Sequence, residues 1–321
     1  MVSNKRLRVH TESDRPKISG AMIQTSADFE ESTQFERLAL ATVFPLASLD
    51  DGSISIDFRS GPANITAHLT SYVFGREEAR SELINELRPL LFGAAWKILD
   101  LLLELAFNRG GLQPKQTGRW TIAEKQKHAR AALGSGVAIC TDGPVWGRLT
   151  NLYVNTAEAR HCLIHRSFKV DPAGAMLDMR DNQGNPCPDI TAAEQAALCR
   201  LAQSVAEVVL ANRYGNRERS DVAWWCDQLV GHHQMSLLGG AERRAVGLVI
   251  VNAVRTTGGW EVDTASSYQR ASESLTGCRY FNVEIHFPGT GLPPMLGRLE
   301  EASRGTRIGL DPANPPSWVV R

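Results

Sequence analysis

Apolar residues recur at helical spacing through the middle of this 321-residue chain. The longest such run extends from Leu90 to Phe107 and is interrupted by Lys97, Asp100 and Glu104 at spacings of three and four. Residues so spaced share one side of an α-helix, and a membrane span would not carry such a charged stripe through its middle. The run therefore predicts a buried bundle helix, in which Pro89 marks a kink or a fresh start.

Three further segments carry the same helical pattern: Trp120–Leu133, Pro144–Arg166 and Thr191–Asn212. Thr191 is followed three residues later by Glu194, which is the capping-box pattern of a helix start. Turn residues between 168 and 184 predict two short strands ahead of this last helix. Four substantial helices with moderate connections predict an antiparallel bundle over residues 67–213.

The two flanks of the predicted bundle have different patterns. Residues 1–66 form an N-terminal segment that we expect to be partly disordered, with one strand at Ser53–Phe58. Beyond Tyr214 the composition changes, and residues 214–321 predict a small C-terminal α/β domain. Helix-like and strand-like pieces alternate there, and the run Tyr280–Phe287 alternates as a strand does. The predicted fold class is mainly α with α+β.

Composition limits the classes of function. Apolar residues make up 43% of the chain, charged residues 22%, and the formal net charge is zero, so any RNA contact must be local. The six cysteines are scattered without a C-x-x-C pair, which favours reduced thiols over a disulfide framework. The N-terminus lacks the apolar core of a signal peptide, and we expect a cytoplasmic protein without a membrane partner.

The candidate chemistry lies in the segment Arg160–His165, with the sequence RHCLIH. A guanidinium suits phosphate oxygens and an imidazole exchanges protons near neutral pH, so this pair can act on a phosphodiester without a metal. Residues five apart on a helix point about 140° from each other. The pair can therefore meet one phosphate near a helix end, in a cleft, or across the twofold axis of a dimer. The alternative is a surface arginine beside a half-buried histidine.

Two other patterns are weaker. Roughly two Arg-(4 to 6 residues)-His pairs are expected by chance, and the second pair, Arg279 and His286, falls on the predicted strand. His161 and His165 also form an H-x-x-x-H pair, but no third ligand is identifiable, so we predict no metal site and no cofactor. We expect His232 and His233 to lie at a surface or interface, because adjacent side chains diverge on a helix.

A bundle whose third long helix ends in Arg-polar-x-x-x-His resembles the HEPN family of nucleotide-binding and ribonuclease domains. In that family the residue after the arginine is typically Asn, Asp or His, and here it is His161. The hairpin-like insert, followed by the segment Thr191–Ala196 and a long closing helix, also resembles bacterial members. The resemblance covers residues 67–213.

The resemblance implies metal-independent RNA cleavage at a composite site formed by two protomers, as in a toxin or phage-defence effector. Arg160 would hold the scissile phosphate, His165 would act as general base or acid, and His161 would orient the arginine or the phosphate. An antitoxin or regulatory protein is a possible partner. The nearby cations are expected to contact RNA; they are Arg148, Arg166 and Lys169.

Two alternatives remain open at this point. The first is a catalytically inactive helical module that binds a nucleotide or a protein, with Arg160 as an anion anchor. The second is a purely structural interaction module in which the Arg160/His165 pair is incidental.

Overall fold

The structure is a computed structural model. It describes residues 22–47, 53–59, 64–68, 77–115, 119–129, 136–165, 168–181, 183–239, 246–302 and 305–320. The predicted disorder of the N-terminal segment falls mainly on residues 1–21, which lie outside the described residues.

Residues 26–233 carry most of the described helices. These are α1 (Ser26–Ala47), α2 (Glu77–Arg109), α3 (Ile122–Ala129), α4 (Gly143–His165), α5 (Ala192–Ala211), α6 (Asn216–Asp227) and α7 (Val230–His233). A 3-10 turn at Ala138–Thr141 precedes α4, and the strands β3 (Lys169–Val170) and β4 (Met176–Leu177) pair between α4 and α5.

Helix α2 follows the prediction from its apolar run. It continues through Pro89 as one helix of 33 residues, and the large side chains of its second half, such as Trp96 and Phe107, are buried. Helix α5 begins at the predicted capping box: the Thr191 hydroxyl accepts from the backbone N–H of Glu194, and the Glu194 carboxylate accepts from the backbone N–H of Thr191. Both helices are thus specified by local sequence.

Strands from both ends of the chain build a six-stranded sheet in the order β11-β9-β8-β5-β1-β2. Strands β1, β5 and β8 are parallel neighbours, and the other pairings in this sheet are antiparallel. The strands are β1 (Ser53–Asp57), β2 (Asn64–His68), β5 (Val246–Asn252), β8 (Tyr280–His286), β9 (Met295–Arg298) and β11 (Val319–Val320). The last third of the chain also contains helix α8 (Thr264–Ser274) and a three-stranded sheet of β6 (Val254–Thr256), β7 (Gly259–Val262) and β10 (Ile308–Leu310).

Buried side chains form two separate hydrophobic clusters. The first unites α1 to α6, including Phe29 and Leu40 of α1 and Val222 of α6. The second lies between the six-stranded sheet, α8 and the smaller sheet. We call these two parts the helical unit and the sheet unit. The coarse prediction of a mainly helical chain with α+β parts is confirmed, whereas the HEPN-like character of the bundle stays a prediction.

The packing follows a different division from the predicted boundaries at residues 66 and 213. Strand β1 pairs in parallel with β5, where Ser55 lies opposite Leu248. The segment before residue 66 therefore contributes α1 to the helical unit and β1 to the sheet unit, and α6 packs with the helices. Along the chain, helices α2 to α7 lie between β2 and β5, which are strands of the same sheet.

Ion pairs join the two units at the amino end of β8. The Arg217 guanidinium donates to Glu300 Oε1 at 3.0 Å and to Asn282 Oδ1 at 3.1 Å. Arg298 of β9 pairs with Glu218 of α6. These half-buried contacts tie the start of α6 to the sheet unit. No described helix is long and apolar enough to cross a bilayer.

Candidate functional site

Helix α4 carries the candidate site and lies antiparallel to α2. The approach of the two helices is close, because a Cβ built on Gly93 of α2 would lie 2.9 Å from Cδ2 of Leu163. One turn further along α2, the ring of Trp96 lies below Arg160 of α4. A glycine at position 93 therefore allows the contact that brings these two residues together.

The Arg160 guanidinium is half-buried and lies over an aromatic platform. Its Cζ is 5.4 Å from the ring centroid of Trp96, within the range of a cation–π contact. Trp96 is 2% exposed and stacks on Tyr153, with the ring centroids 4.5 Å apart. Within the described part of the chain, no carboxylate forms an ion pair with Arg160. Among these residues, the ring of Trp96 positions its charge and no acid neutralises it by contact.

A buried ionic network supports this platform from below. Tyr153 donates its hydroxyl to Asp100 Oδ1 at 2.7 Å. Lys125 Nζ lies 2.8 Å from Asp100 Oδ2 and 3.0 Å from Glu104 Oε2. Burial, and then the charge of Asp100, raise the pKa of Tyr153, so its phenol stays neutral. The hydroxyl–carboxylate contact fixes the ring on which Trp96 rests.

The two candidate histidines stand at the end of the same helix. His161 is half-buried, and His165 is the last residue of α4, with its side chain outside the described part of the chain. Helical geometry places Arg160 and His165 about 140° apart around the axis. The convergence of Arg160, His161 and His165 on one phosphate therefore stays a prediction.

The cations expected to contact RNA are placed less favourably. Arg148 is a correction: it is 4% exposed, and its guanidinium donates to the backbone oxygens of Ser236 and Pro144. Arg148 therefore holds the segment after α7 against α4 and does not face a substrate. Lys169 is exposed but pairs with Asp178 at 2.6 Å, which raises the pKa of the lysine. Arg166 lies outside the described residues.

The paired histidines of α7 are a second correction. His232 and His233 are 6% and 0% exposed, so they do not lie at the surface. His232 Nε2 lies 3.2 Å from Glu194 Oε1, and the His233 ring contacts the backbone of Cys226 and Met235. Their backbone carbonyls accept from two asparagines of α4. Adjacent histidines are both buried because α7 is a single turn enclosed by α4, α5 and α6.

The strand predicted at the second Arg/His pair is confirmed, and it begins directly after Arg279. His286 ends β8, and its Nε2 lies 2.5 Å from Glu284 Oε1 and 3.4 Å from Nη1 of Arg59, which follows β1. Arg279 rests against the ring of Tyr280 instead. The arginine nearest to His286 thus comes from a distant part of the chain, which sequence spacing does not reveal.

Sequence reasoning missed Trp96 and Lys125 as parts of the site. The signal was present in the charged stripe of α2, where Asp100 and Glu104 face inward and require a cation. Among the residues that the structure describes, no three His, Cys, Asp or Glu side chains are arranged to hold a metal ion. No family model, no curated protein and no solved structure matches this chain.

Proposed function

We propose that this protein cleaves RNA without a metal ion, at a composite site where the carboxyl ends of two α4 helices meet across a twofold axis. The supporting observation is the Arg160 guanidinium, held over Trp96 without an acidic partner among the described residues. A fixed, forked cation of this kind suits a phosphodiester oxygen. One protomer directs Arg160 and His165 to different sides of its helix, so a second copy must complete the site.

Exposed apolar side chains support a contact between copies at this end of the helix pair. Ile164, one turn after Arg160 on the same side of α4, is 51% exposed. Leu90, one turn before Gly93 on α2, is 65% exposed. Since α2 and α4 are antiparallel, Leu90 and Ile164 lie at the same end of the pair. Burying them against a second copy would bring two Arg160 side chains close to one axis.

The reaction uses side chains alone. His165 of one protomer takes the proton from the ribose 2′-OH, and the 2′-oxygen attacks the adjacent phosphorus. Arg160 of the other protomer stabilises the charge on the phosphoryl oxygens. The 5′-oxygen leaves and receives a proton from water, and the imidazolium of His165 returns its own proton to solvent. The products are a 2′,3′-cyclic phosphate and a 5′-OH.

The first test is RNA cleavage by the purified protein in EDTA. Arg160→Ala and His165→Ala should each lower the rate by about 10²–10⁴. Arg255→Ala is the matched control, because Arg255 also lies over a tryptophan, 5.9 Å from the Trp260 centroid, but in the sheet unit. Cleavage that survives both α4 substitutions, or that is lost equally in Arg255→Ala, contradicts the proposal.

Mixing the two inactive variants tests whether the site is shared. A heterodimer of Arg160→Ala and His165→Ala keeps one intact composite site, so an equal mixture should recover about a quarter of the wild-type activity. Ile164→Asp should abolish both dimerisation in sedimentation and cleavage. RNA binding by a wild-type protein that never cleaves, lost in Arg160→Ala, would instead establish a catalytically inactive binding module.

The biological setting belongs to the same proposal. Metal-independent cleavage of cytoplasmic RNA suits a toxin or phage-defence effector that an antitoxin or regulatory protein holds in check. Induced expression should then arrest bacterial growth, and Arg160→Ala should relieve the arrest. Equal growth of both strains, at equal protein levels, would remove the toxin assignment and leave the biochemical one to the cleavage assay.

A further inference from the structure

Two cysteines lie where the segment between α4 and α5 returns against α4. We call its described residues, 168–181 and 183–190, the hairpin segment. Cys162 of α4 is fully buried, and its Sγ lies 3.1 Å from the backbone oxygen of Arg180. Arg180 forms an antiparallel bridge with Pro186. Cys187 follows directly, and its N–H donates to the oxygen of Met179 at 2.8 Å. The segment that carries Cys187 thus runs beside the residues that receive the Cys162 thiol.

The electrostatics of Cys187 agree with this placement of the two thiols side by side. Burial raises the pKa of Cys187 to about 11, and the neighbouring Cys162 thiol contributes through its charge and through a hydrogen bond between the two side chains. The carboxylates of Glu158 on α4 and Asp181 in the hairpin segment raise it further. Cys187 is half-buried, so this residue is partly open to solvent, whereas Cys162 is not.

Other cysteines provide a contrast. Cys199 and Cys226 are buried in the helical core, and Cys278 lies in the sheet unit. Burial raises the pKa of each, and no second thiol contributes to the shift at any of the three. A thiol neighbour therefore distinguishes the Cys162–Cys187 pair from these three.

We propose that Cys162 and Cys187 form a redox modification site, at which a reversible disulfide fastens the hairpin segment to α4. The oxidant is a low-molecular-weight disulfide such as oxidised glutathione. The Cys187 thiolate attacks it, a mixed disulfide forms and one glutathione thiol leaves. The Cys162 sulfur then attacks the sulfur of Cys187 and releases the second glutathione thiol. Two protein thiols become one disulfide, and their two protons pass to the two glutathione molecules.

The disulfide would lie on the same turns of α4 as the candidate site. Cys162 lies between Arg160 and His165 along the helix, so the bridge would fix the hairpin segment against the turn that carries both. Any effect of the bridge on RNA cleavage rests on the proposed function. Formation of the bridge does not, since it depends on the two thiols alone. If the protein does not cleave RNA, the disulfide can still form. If the disulfide does not form, the protein can still cleave RNA.

The test uses the full chain under native conditions. The protein is equilibrated with oxidised glutathione at pH 8, its free thiols are alkylated after unfolding, and its peptides are mapped by mass spectrometry. The reduced chain should show six alkylated cysteines, and the oxidised chain two fewer, with Cys162 and Cys187 in one linked peptide. Dithiothreitol should restore all six. Because thiolate is the attacking form, bridge formation should accelerate about tenfold per pH unit between pH 7 and pH 10.

Substitutions give the matched controls. Cys278→Ser should still lose two thiols on oxidation, whereas Cys187→Ser should keep all of its remaining thiols. A stable glutathione adduct on Cys187 without a bridge would overturn the inference. So would a linked peptide that excludes either cysteine, or six alkylated thiols at every glutathione ratio. Peptide mapping of the wild-type chain decides these outcomes even where a variant fails to fold.

Discussion

Replacing Lys125 by methionine should destabilise the helical unit by about 3 kcal/mol, because it leaves two largely buried carboxylates without their buried cation. The Lys125 side chain is 4% exposed, and those of Asp100 and Glu104 are 18% and 14% exposed. Methionine keeps most of the aliphatic stem, so the loss reports on the charge. The phenol of Tyr153 remains as the other hydrogen-bond donor to Asp100.

Burial, not the distance between the charges, sets this magnitude. The ion pair of Lys169 with Asp178 is shorter, at 2.6 Å, but its side chains are 77% and 62% exposed. Water solvates both of these charges when they separate, so Lys169→Met should leave the free energy of unfolding unchanged within error. The two lysine substitutions thus form a matched pair that differs in solvent exposure.

Urea unfolding followed by tryptophan fluorescence measures the difference, since Trp96 stacks on Tyr153 beside the network. With an m-value of about 1–3 kcal/mol per molar, a loss of about 3 kcal/mol lowers the midpoint by at least about 1 M. Adding Asp100→Asn and Glu104→Gln to Lys125→Met should recover part of the loss, because no buried charge remains. Equal midpoints for Lys125→Met and Lys169→Met would refute the reasoning.

Three further predictions concern other parts of the fold. Thr191→Ala removes the capping box of α5 and should cost about 1 kcal/mol in thermal unfolding. Gly297→Ala should cost about 1–3 kcal/mol in urea unfolding, because its Cβ would lie 2.6 Å from ring carbons of Trp318. Burial raises the pKa of Glu218, but hydrogen bonds, that from Arg298 first, lower it on balance. Ionised Glu218 therefore contributes to the free energy of unfolding above the ordinary pKa of the carboxyl, and this contribution is lost as the pH falls through the lowered pKa. Arg298→Gln should make the free energy of unfolding depend less steeply on pH on the acid side of a stability–pH curve.

Local sequence signals predicted those helices and strands whose structure is decided by residues close together in the sequence. Helix α2 was predicted from its apolar run, α5 from its capping box and β8 from strict alternation. In each case the residues that decide the structure lie within a few positions of one another. Helix α4 was predicted with both ends within one residue of those observed, for the same reason.

Elements that depend on distant partners were not predicted in full. The run of short apolar stretches near Leu40 gave no helix, yet α1 forms because Leu40 and Phe29 are buried in the helical core. Strand β1 was predicted, but not its parallel pairing with β5, which lies beyond the whole helical insertion. Pairings between distant segments leave no local periodicity from which they could be inferred.

At the candidate site, too, the position of each residue along its helix was predicted, whereas its contacts with other elements were not. Sequence placed Arg160 on the correct helix, but the ring beneath it comes from α2. Arg148 was expected near the substrate because it is close in sequence, and it was misplaced because three turns of helix separate it from Arg160. It lies on the side of α4 that faces α7 and is engaged by the Ser236 backbone.

The surroundings of α4 restrict where a second copy could reach Arg160. Tyr153 and Arg160 face α2, Asn155 bonds the backbone of α7, and Cys162 faces the hairpin segment. Among the described side chains of the last turn, the exposed apolar one is Ile164. A partner would therefore approach along the end of the helix pair, where it would meet Arg160 from the side on which Trp96 does not cover it.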